Sequence, residues 1–125
     1  MWGMIGTVTR ILVVDDDPGL VRMVKMSLEV EGYDVVTASD GERGLEELNK
    51  QPSDIVLLDL QMPRMDGRTF YKEMKARGFD IPVLILSAYG AEAAAIELDA
   101  DAAVNKPFDP DFLTETVKRI IDGRD

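Results

Sequence analysis

Residues 54–63 read Asp54-Ile55-Val56-Leu57-Leu58-Asp59-Leu60-Gln61-Met62-Pro63. Four aliphatic residues in a row run into an acid, and a proline-bearing turn follows. An apolar run this short, without alternation, is the pattern of a strand buried on both faces of a parallel sheet. Three more runs share the form. Ile11-Leu12-Val13-Val14 ends in Asp15-Asp16-Asp17, Ile81-Pro82-Val83-Leu84-Ile85-Leu86 ends in Ser87-Ala88, and Ala102-Ala103-Val104 is followed by Asn105-Lys106-Pro107. If these are parallel strands, carboxylates, a hydroxyl and an ammonium meet along one edge of one sheet.

Helical stretches separate the runs. Asp17-Pro18 predicts an N-cap followed by a first-turn proline. Leu20, Val21, Val24 and Leu28 then recur at helical spacing, and Gly32 closes the helix. A second strand is expected over 34–38 and a second helix from the Ser39-Asp40-Gly41 turn to about Lys50, with Leu45 and Leu48 inward. A third helix is expected over 67–77, a fourth, short and alanine-rich, over 91–98. A fifth runs from Asp109-Pro110 to about Ile121, carrying Phe112, Leu113, Val117, Ile120 and Ile121. Strands are expected at 10–14, 81–86 and 102–104. Strand and helix alternate five times, so the fold class is α/β, with right-handed crossovers placing helices on both faces of a parallel sheet. Such sheets bind ligands beyond the carboxyl ends of their strands, where Asp15, Asp16, Asp59, Ser87 and Lys106 fall.

Composition narrows the chemistry. The chain has 125 residues, enough for one domain. It has neither cysteine nor histidine. That excludes disulfides, thiolate or imidazole metal sites and histidine-assisted nucleophiles. A net charge of −10 disfavours direct nucleic-acid binding by this domain, which depends on cations meeting phosphates. No apolar run approaches the ~20 residues of a membrane span. Met1-Trp2-Gly3-Met4-Ile5-Gly6 lacks the basic start of a signal peptide and reads as an extension, unless Trp2 packs on the domain or a partner. The cytoplasm is the expected location.

Clustered carboxylates repel by roughly 4 kcal/mol per pair at 4 Å and an effective dielectric of ~20. A hard divalent cation relieves this, and an all-oxygen site selects Mg²⁺, with Mn²⁺ also suited. The metal can then bring a phosphoryl group to an aspartate, which is a competent acceptor. Ser87 and Lys106 would supply a hydrogen bond and positive charge to the phosphoryl oxygens. Plainer roles stand beside these: Asp17 as a cap alone, Ser87 as a helix cap, Lys106 as a surface lysine. The coincidence of such residues at four strand ends favours one shared site.

These residues carry a resemblance. Ile11-Leu12-Val13-Val14-Asp15-Asp16-Asp17-Pro18, Asp59-Leu60-Gln61-Met62-Pro63-Arg64-Met65-Asp66-Gly67, Ser87-Ala88 and Lys106-Pro107-Phe108 together resemble the receiver domain of two-component response regulators. The resemblance covers about 10–121. It implies a doubly wound, flavodoxin-like (βα)5 three-layer sandwich with a five-stranded parallel sheet in the order 2-1-3-4-5. The expected layout is an extension over 1–9, a receiver over 10–122 and a tail over 123–125. Asp59 would be the phosphoacceptor. Asp15, Asp16, Asp59 and the Gln61 carbonyl would be metal ligands, Ser87 the switch hydroxyl and Lys106 the phosphoryl-binding lysine, with a cis bond before Pro107. Strand alternation alone would instead place Asp15 and Asp17 on one face.

The implied function is phosphorelay signalling. A sensor histidine kinase or phosphotransfer protein would donate the phosphoryl group, and the domain would act as a switch with its own phosphorylation and hydrolysis chemistry, not as a metabolic enzyme. A receiver fragment of a longer DNA-binding regulator, or a degenerate receiver serving only as an interaction module, are the alternatives. An aspartate-based phosphatase would want a carboxylate where Gln61 stands. A flavin carrier would want a phosphate-cradling loop in place of Asp15-Asp16-Asp17.

Three departures fall on the output side. The family usually has Tyr or Phe where this chain has Ala103, which has no rotamer to switch. The stretch between Ser87 and Lys106 is about one helical turn shorter than usual. Asp99 stands where the family often has Gly. Tyr89, two residues beyond Ser87, either replaces part of the aromatic relay and screens the phosphoryl group, or is simply exposed. The Gln61 side chain either tunes hydrolysis or faces solvent.

Overall fold

The computed structural model describes residues 8–123. Five strands and five helices alternate: β1 (Arg10–Val14), α1 (Pro18–Val30), β2 (Asp34–Ala38), α2 (Gly41–Lys50), β3 (Ile55–Asp59), α3 (Gly67–Ala76), β4 (Val83–Ser87), α4 (Ala91–Leu98), β5 (Ala102–Asn105) and α5 (Pro110–Gly123). All pairings are parallel and the sheet order is β2-β1-β3-β4-β5, as expected. The expectations that fall on the leader, Trp2 included, lie outside the described residues.

The continuous apolar runs are explained by what lies on either side of them. Every residue of β3 and β4 is buried. Leu12, Val14, Val56, Leu58, Val83 and Ile85 face one core with α2, α3 and α4. Ile11, Val13, Ile55, Leu57, Leu84 and Leu86 face the other, with α1 and α5. Period-two alternation thus survives in space, although both sets are apolar. Each such buried side chain contributes about 1.5–3 kcal/mol of transfer free energy. Both edge strands, β2 and β5, are only partly buried.

The helix starts obey their capping residues. The Asp17 carboxylate accepts from the Gly19 and Leu20 N–H groups, and Pro18 opens α1. Asp40 and Asp66 cap α2 and α3 in the same way, while Asp109 accepts from the Asp111 N–H where α5 starts. Several boundaries differ from the sequence reading; α3 ends at Ala76 and β5 at Asn105, each one residue from the expected end. β4 begins after Pro82, which has no N–H to give a ladder, and it includes Ser87. α5 runs on to Gly123, two residues past Ile121. Of the apolar set of α5, Phe112 is 53% exposed, and Leu113, Val117, Ile120 and Ile121 carry the packing. Among the described residues no helix is long and apolar enough to cross a membrane.

Candidate functional site

β1 and β3 are neighbours that leave the sheet in opposite directions, so the crevice beyond their carboxyl ends is the topological switch point. Register sets what meets there. Val14 lies opposite Leu58, so Asp15 and Asp59 are the next residues on each strand. Leu86 lies opposite Asp59, and Ser87 opposite Asn105. The Lys106 N–H donates to the Ser87 carbonyl at 2.8 Å, which anchors the lysine beside β4.

The side chains converge as the strand ends require. Asp15 and Asp59 are buried, at 1% and 3% exposure, whereas Asp16 is exposed. One carboxylate oxygen from each of the three lies within 4.8 Å of the others. The Lys106 ammonium bridges the buried pair, 2.8 Å from Asp15 Oδ2 and 3.4 Å from Asp59 Oδ1. The Gln61 N–H also donates to Asp59 Oδ1, at 3.3 Å. Burial pushes the Asp59 carboxyl above the usual carboxylate value, and the Asp15 charge pushes the same way; Lys106 and the Gln61 N–H oppose both. For Lys106, burial works against the ammonium, but the hydrogen bond and charge of Asp15, aided by Asp59, outweigh it and raise its pKa.

The choice between Asp16 and Asp17 is resolved by where β1 stops. The strand ends at Val14, so alternation no longer governs the acids that follow. Asp17 turns to α1 and spends its carboxylate as the cap, while Asp16 joins the cluster. Ser87 is buried at the end of β4, but its hydroxyl is engaged within its own loop. It donates to the Tyr89 carbonyl at 2.8 Å and accepts from the Tyr89 N–H at 3.3 Å. It does not cap α4, whose N-cap is Gly90 in the left-handed region. Ala88 and Gln61 are exposed, and Tyr89 is 80% exposed. The Lys106-Pro107 peptide is cis. Ala103 is half-buried against the core that α4 covers.

Four positions were not singled out from sequence. A Cβ on Gly67 would sit 2.3 Å from the Asp59 carbonyl oxygen, so this glycine lets α3 approach β3. The Asp66-Gly67 pair was visible as a helix start, but not this contact. Asn105 Oδ1 accepts from the Ala91 N–H at 3.4 Å, standing in for the missing N-cap of α4. Arg64, at φ 66°, pairs with buried Asp40 at 3.4 Å and ties the turn after β3 to α2. The Tyr71 hydroxyl donates to the Asp99 carbonyl at 3.1 Å. Asp99 itself is at φ 61°, a region Asp tolerates better than most side chains.

The sequence profile described as the response regulator receiver domain matches residues 11–118. This chain belongs to the response regulator receiver family. The receiver is 37% identical over 115 residues to the alkaline phosphatase synthesis transcriptional regulatory protein PhoP of Bacillus subtilis, covering 90% of this chain and 48% of that protein. It is 39% identical over 111 residues to the transcriptional regulatory protein GlrR of Escherichia coli, covering 86% of this chain and 25% of that one. It therefore spans half or less of the length of these relatives. Among solved structures, a CheY-like receiver from Methanospirillum hungatei matches with a TM-score of 0.86 at 28% identity, over 94% of this chain and 96% of that one. The response regulator TrrA of Thermotoga maritima, in complex with Mg(2+)-BeF, matches with a TM-score of 0.81 at 35% identity, over 90% and 99%.

The donor set suits a hard cation. Three carboxylate oxygens within 4.8 Å, in a chain with neither cysteine nor histidine, form an acidic pocket of the kind that takes Mg²⁺.

Proposed function

We propose that this receiver accepts a phosphoryl group on Asp59 and returns it to water. The observation that carries the reading is the buried Asp15–Lys106–Asp59 bridge at the sheet's switch point. Both polar contacts to Asp59 fall on Oδ1, from Gln61 and Lys106, which leaves Oδ2 as the nucleophile. Its lone pair forms the new O–P bond while the P–N bond of a phosphohistidine breaks, and the electron pair leaves with the imidazole. With acetyl phosphate the P–O bond breaks and acetate leaves.

Lys106 already has its ammonium between the two carboxylates, so it can follow negative charge onto the phosphoryl oxygens without losing Asp15. Ser87 must exchange its bond to the Tyr89 carbonyl for one to the phosphoryl group, which couples the 88–90 loop to the modification. Asp15, Asp16, Asp59 and the Gln61 carbonyl would hold Mg²⁺, or Mn²⁺, whose bound charge offsets repulsion between acceptor and phosphoryl group. Ala103 has no rotamer to exchange, so output does not run through an aromatic there. Tyr89, exposed within that loop, is free to screen the phosphoryl group.

The donor we assign is a sensor histidine kinase or phosphotransfer protein in the cytoplasm, and the receiver unit spans 10–122. A second reading rests on length: the relatives PhoP and GlrR are two to four times longer, so this domain also fits as the switch of a DNA-binding regulator. Intact-mass measurement after incubation with Mg²⁺ and acetyl phosphate tests the acceptor. One added phosphoryl group, absent in Asp59→Asn, is expected. An unchanged mass, with no fluoroberyllate binding, overturns the proposal.

A further inference from the structure

The turn after β3 carries an arginine in a backbone conformation that ordinarily goes to glycine. Arg64 has φ 66°, where a Cβ crowds the neighbouring carbonyl and glycine is the default residue. Asn and Asp relieve that crowding by bonding locally through a short polar group, which arginine lacks. What the Arg64 side chain gains is a contact elsewhere: its guanidinium lies 3.4 Å from Asp40 Oδ2.

Asp40 is a fixed partner. It is buried, and its other oxygen, Oδ1, accepts from the Arg43 N–H at 2.9 Å as the N-cap of α2. The next residue of the turn repeats the contact. Met65 lies against Gly41, where a Cβ would come within 2.7 Å of the Met65 sulfur. Arg64 and Met65 are thus seated on Asp40 and Gly41, a consecutive pair at the start of α2. The far end of the turn is closed by the Gly67 N–H, which donates to the Leu60 carbonyl at 3.0 Å, and by Asp66, which caps α3. Between these anchors lies Gln61, whose N–H reaches Asp59 Oδ1 at 3.3 Å. That bond is longer than most N–H···O bonds, so a small relaxation of the turn breaks it.

We propose that Arg64 is a positioning residue. By holding Asp40 it seats the 60–66 turn so that Gln61 stays against Asp59, and it thereby strengthens divalent-cation binding at the Asp15–Asp16–Asp59 cluster. The metal half rests on the reading of that cluster as a Mg²⁺ site; the Gln61 half does not. Among the described residues Asp40 is the one carboxylate within 4 Å of the Arg64 guanidinium, so its effect on the cluster has to pass through the turn. Charge alone predicts the opposite sign, because a guanidinium near an acidic cluster repels a divalent cation and its removal would tighten binding.

The test compares wild type with Arg64→Gly, Asp40→Asn and the double variant by ¹⁵N spectra, first metal-free and then through a Mg²⁺ titration. Glycine suits the left-handed backbone and asparagine keeps an oxygen for the Arg43 N–H, so each single variant should stay folded, checked by thermal midpoint. In Arg64→Gly the Gln61 N–H should exchange with water about three-fold faster and the Mg²⁺ Kd should rise about three-fold, the scale that an ion pair with one exposed partner can transmit. Asp40→Asn should match it, and the double variant should be no worse than either single one. The gap between wild type and Arg64→Gly should close at about 1 M salt, which screens such a pair. Unchanged or tighter Mg²⁺ binding in Arg64→Gly overturns the proposal. An additive double variant overturns it too, since the loss would then come from a loosened backbone and not from the pair. A wild type that binds no Mg²⁺ overturns the reading of the cluster instead, and Gln61 exchange then decides whether Arg64 seats the turn.

Discussion

Neutralising Asp59 should make the metal-free protein more stable, and the structure says by how much. At 4.8 Å and an effective dielectric of ~20, each like-charge pair in the acidic cluster costs about 3.5 kcal/mol. Asp59 makes two such pairs, with Asp15 and with the exposed and better screened Asp16. Against them stands its attraction to Lys106 at 3.4 Å, worth about 5 kcal/mol on the same scale. Asp59→Asn keeps an oxygen for the Gln61 N–H and Lys106 and removes the charge. With both pairs at full weight the charges leave a gain of about 2 kcal/mol; screening of Asp16 lowers it, and release of the charge from burial, the largest influence on Asp59, adds to it, so the expected gain is about 1–2 kcal/mol, or roughly 4–8 °C in melting temperature for a domain of this size. The sign with pH follows from the raised pKa of Asp59. Between its unfolded value of 3.8 and its higher folded value, the native state holds the extra proton, so wild-type stability falls as pH rises through that window. The variant escapes this loss, and its advantage should be full at neutral pH and vanish below the ordinary carboxylate range. Urea unfolding in EDTA at several pH values measures it. A variant no more stable than wild type at pH 7, or equally advantaged at pH 3, would refute the electrostatic argument. Mg²⁺ should shrink or reverse the difference, because it binds the native wild type with one more ligand charge.

Removing Lys106 acts in the opposite direction. Lys106→Gln leaves Asp15 and Asp59 facing each other without a cation, so we expect a loss of about 3 kcal/mol at neutral pH, seen as a lower urea midpoint that Mg²⁺ largely restores. Gly67→Ala places a Cβ 2.3 Å from the Asp59 carbonyl oxygen, a backbone atom that cannot move aside. It should cost about 3 kcal/mol and weaken Mg²⁺ binding followed by amide shifts; a substitution tolerated without either effect would show that α3 can withdraw without disturbing the acceptor.

How much of this was legible in the sequence depends on whether the information was local. Buried strands announce themselves because both faces must be apolar, so β1, β3 and β4 stand out in the raw string. Caps announce themselves because Asp17, Asp40 and Asp66 precede Pro or Gly at helix starts. Hence the fold, and the four strand ends that make the site, could be read directly. The misplaced start of β4 reflects a run whose hydrophobicity extends past its hydrogen bonding at Pro82. The outward Phe112 reflects a helix offering more apolar residues than the sheet can cover. Asp16 against Asp17 was not decidable from alternation, because the deciding fact is that β1 stops at Val14. The contacts of Arg64 with Asp40, Asn105 with the start of α4, and Tyr71 with Asp99 join residues 14 to 28 positions apart. No local pattern encodes them.

The same distinction separates the two halves of the molecule's behaviour. The proposed acceptor site sits on strand ends, where register brings Asp15 beside Asp59 and the Ser87 carbonyl to the Lys106 N–H. Such a site depends on the helices chiefly where glycine lets α3 meet β3. Any response would fall on α4, a helix whose first N–H donates one long bond to Asn105 and whose C-terminus is held by Tyr71. With Ala103 between them there is no bulky group to trade places when Ser87 leaves the Tyr89 carbonyl. The parts free to change are then the 88–90 loop and the two tethers of α4. Movement of the helix as a body, rather than a swap of rotamers beneath it, is the route by which the proposed modification of Asp59 would reach α4.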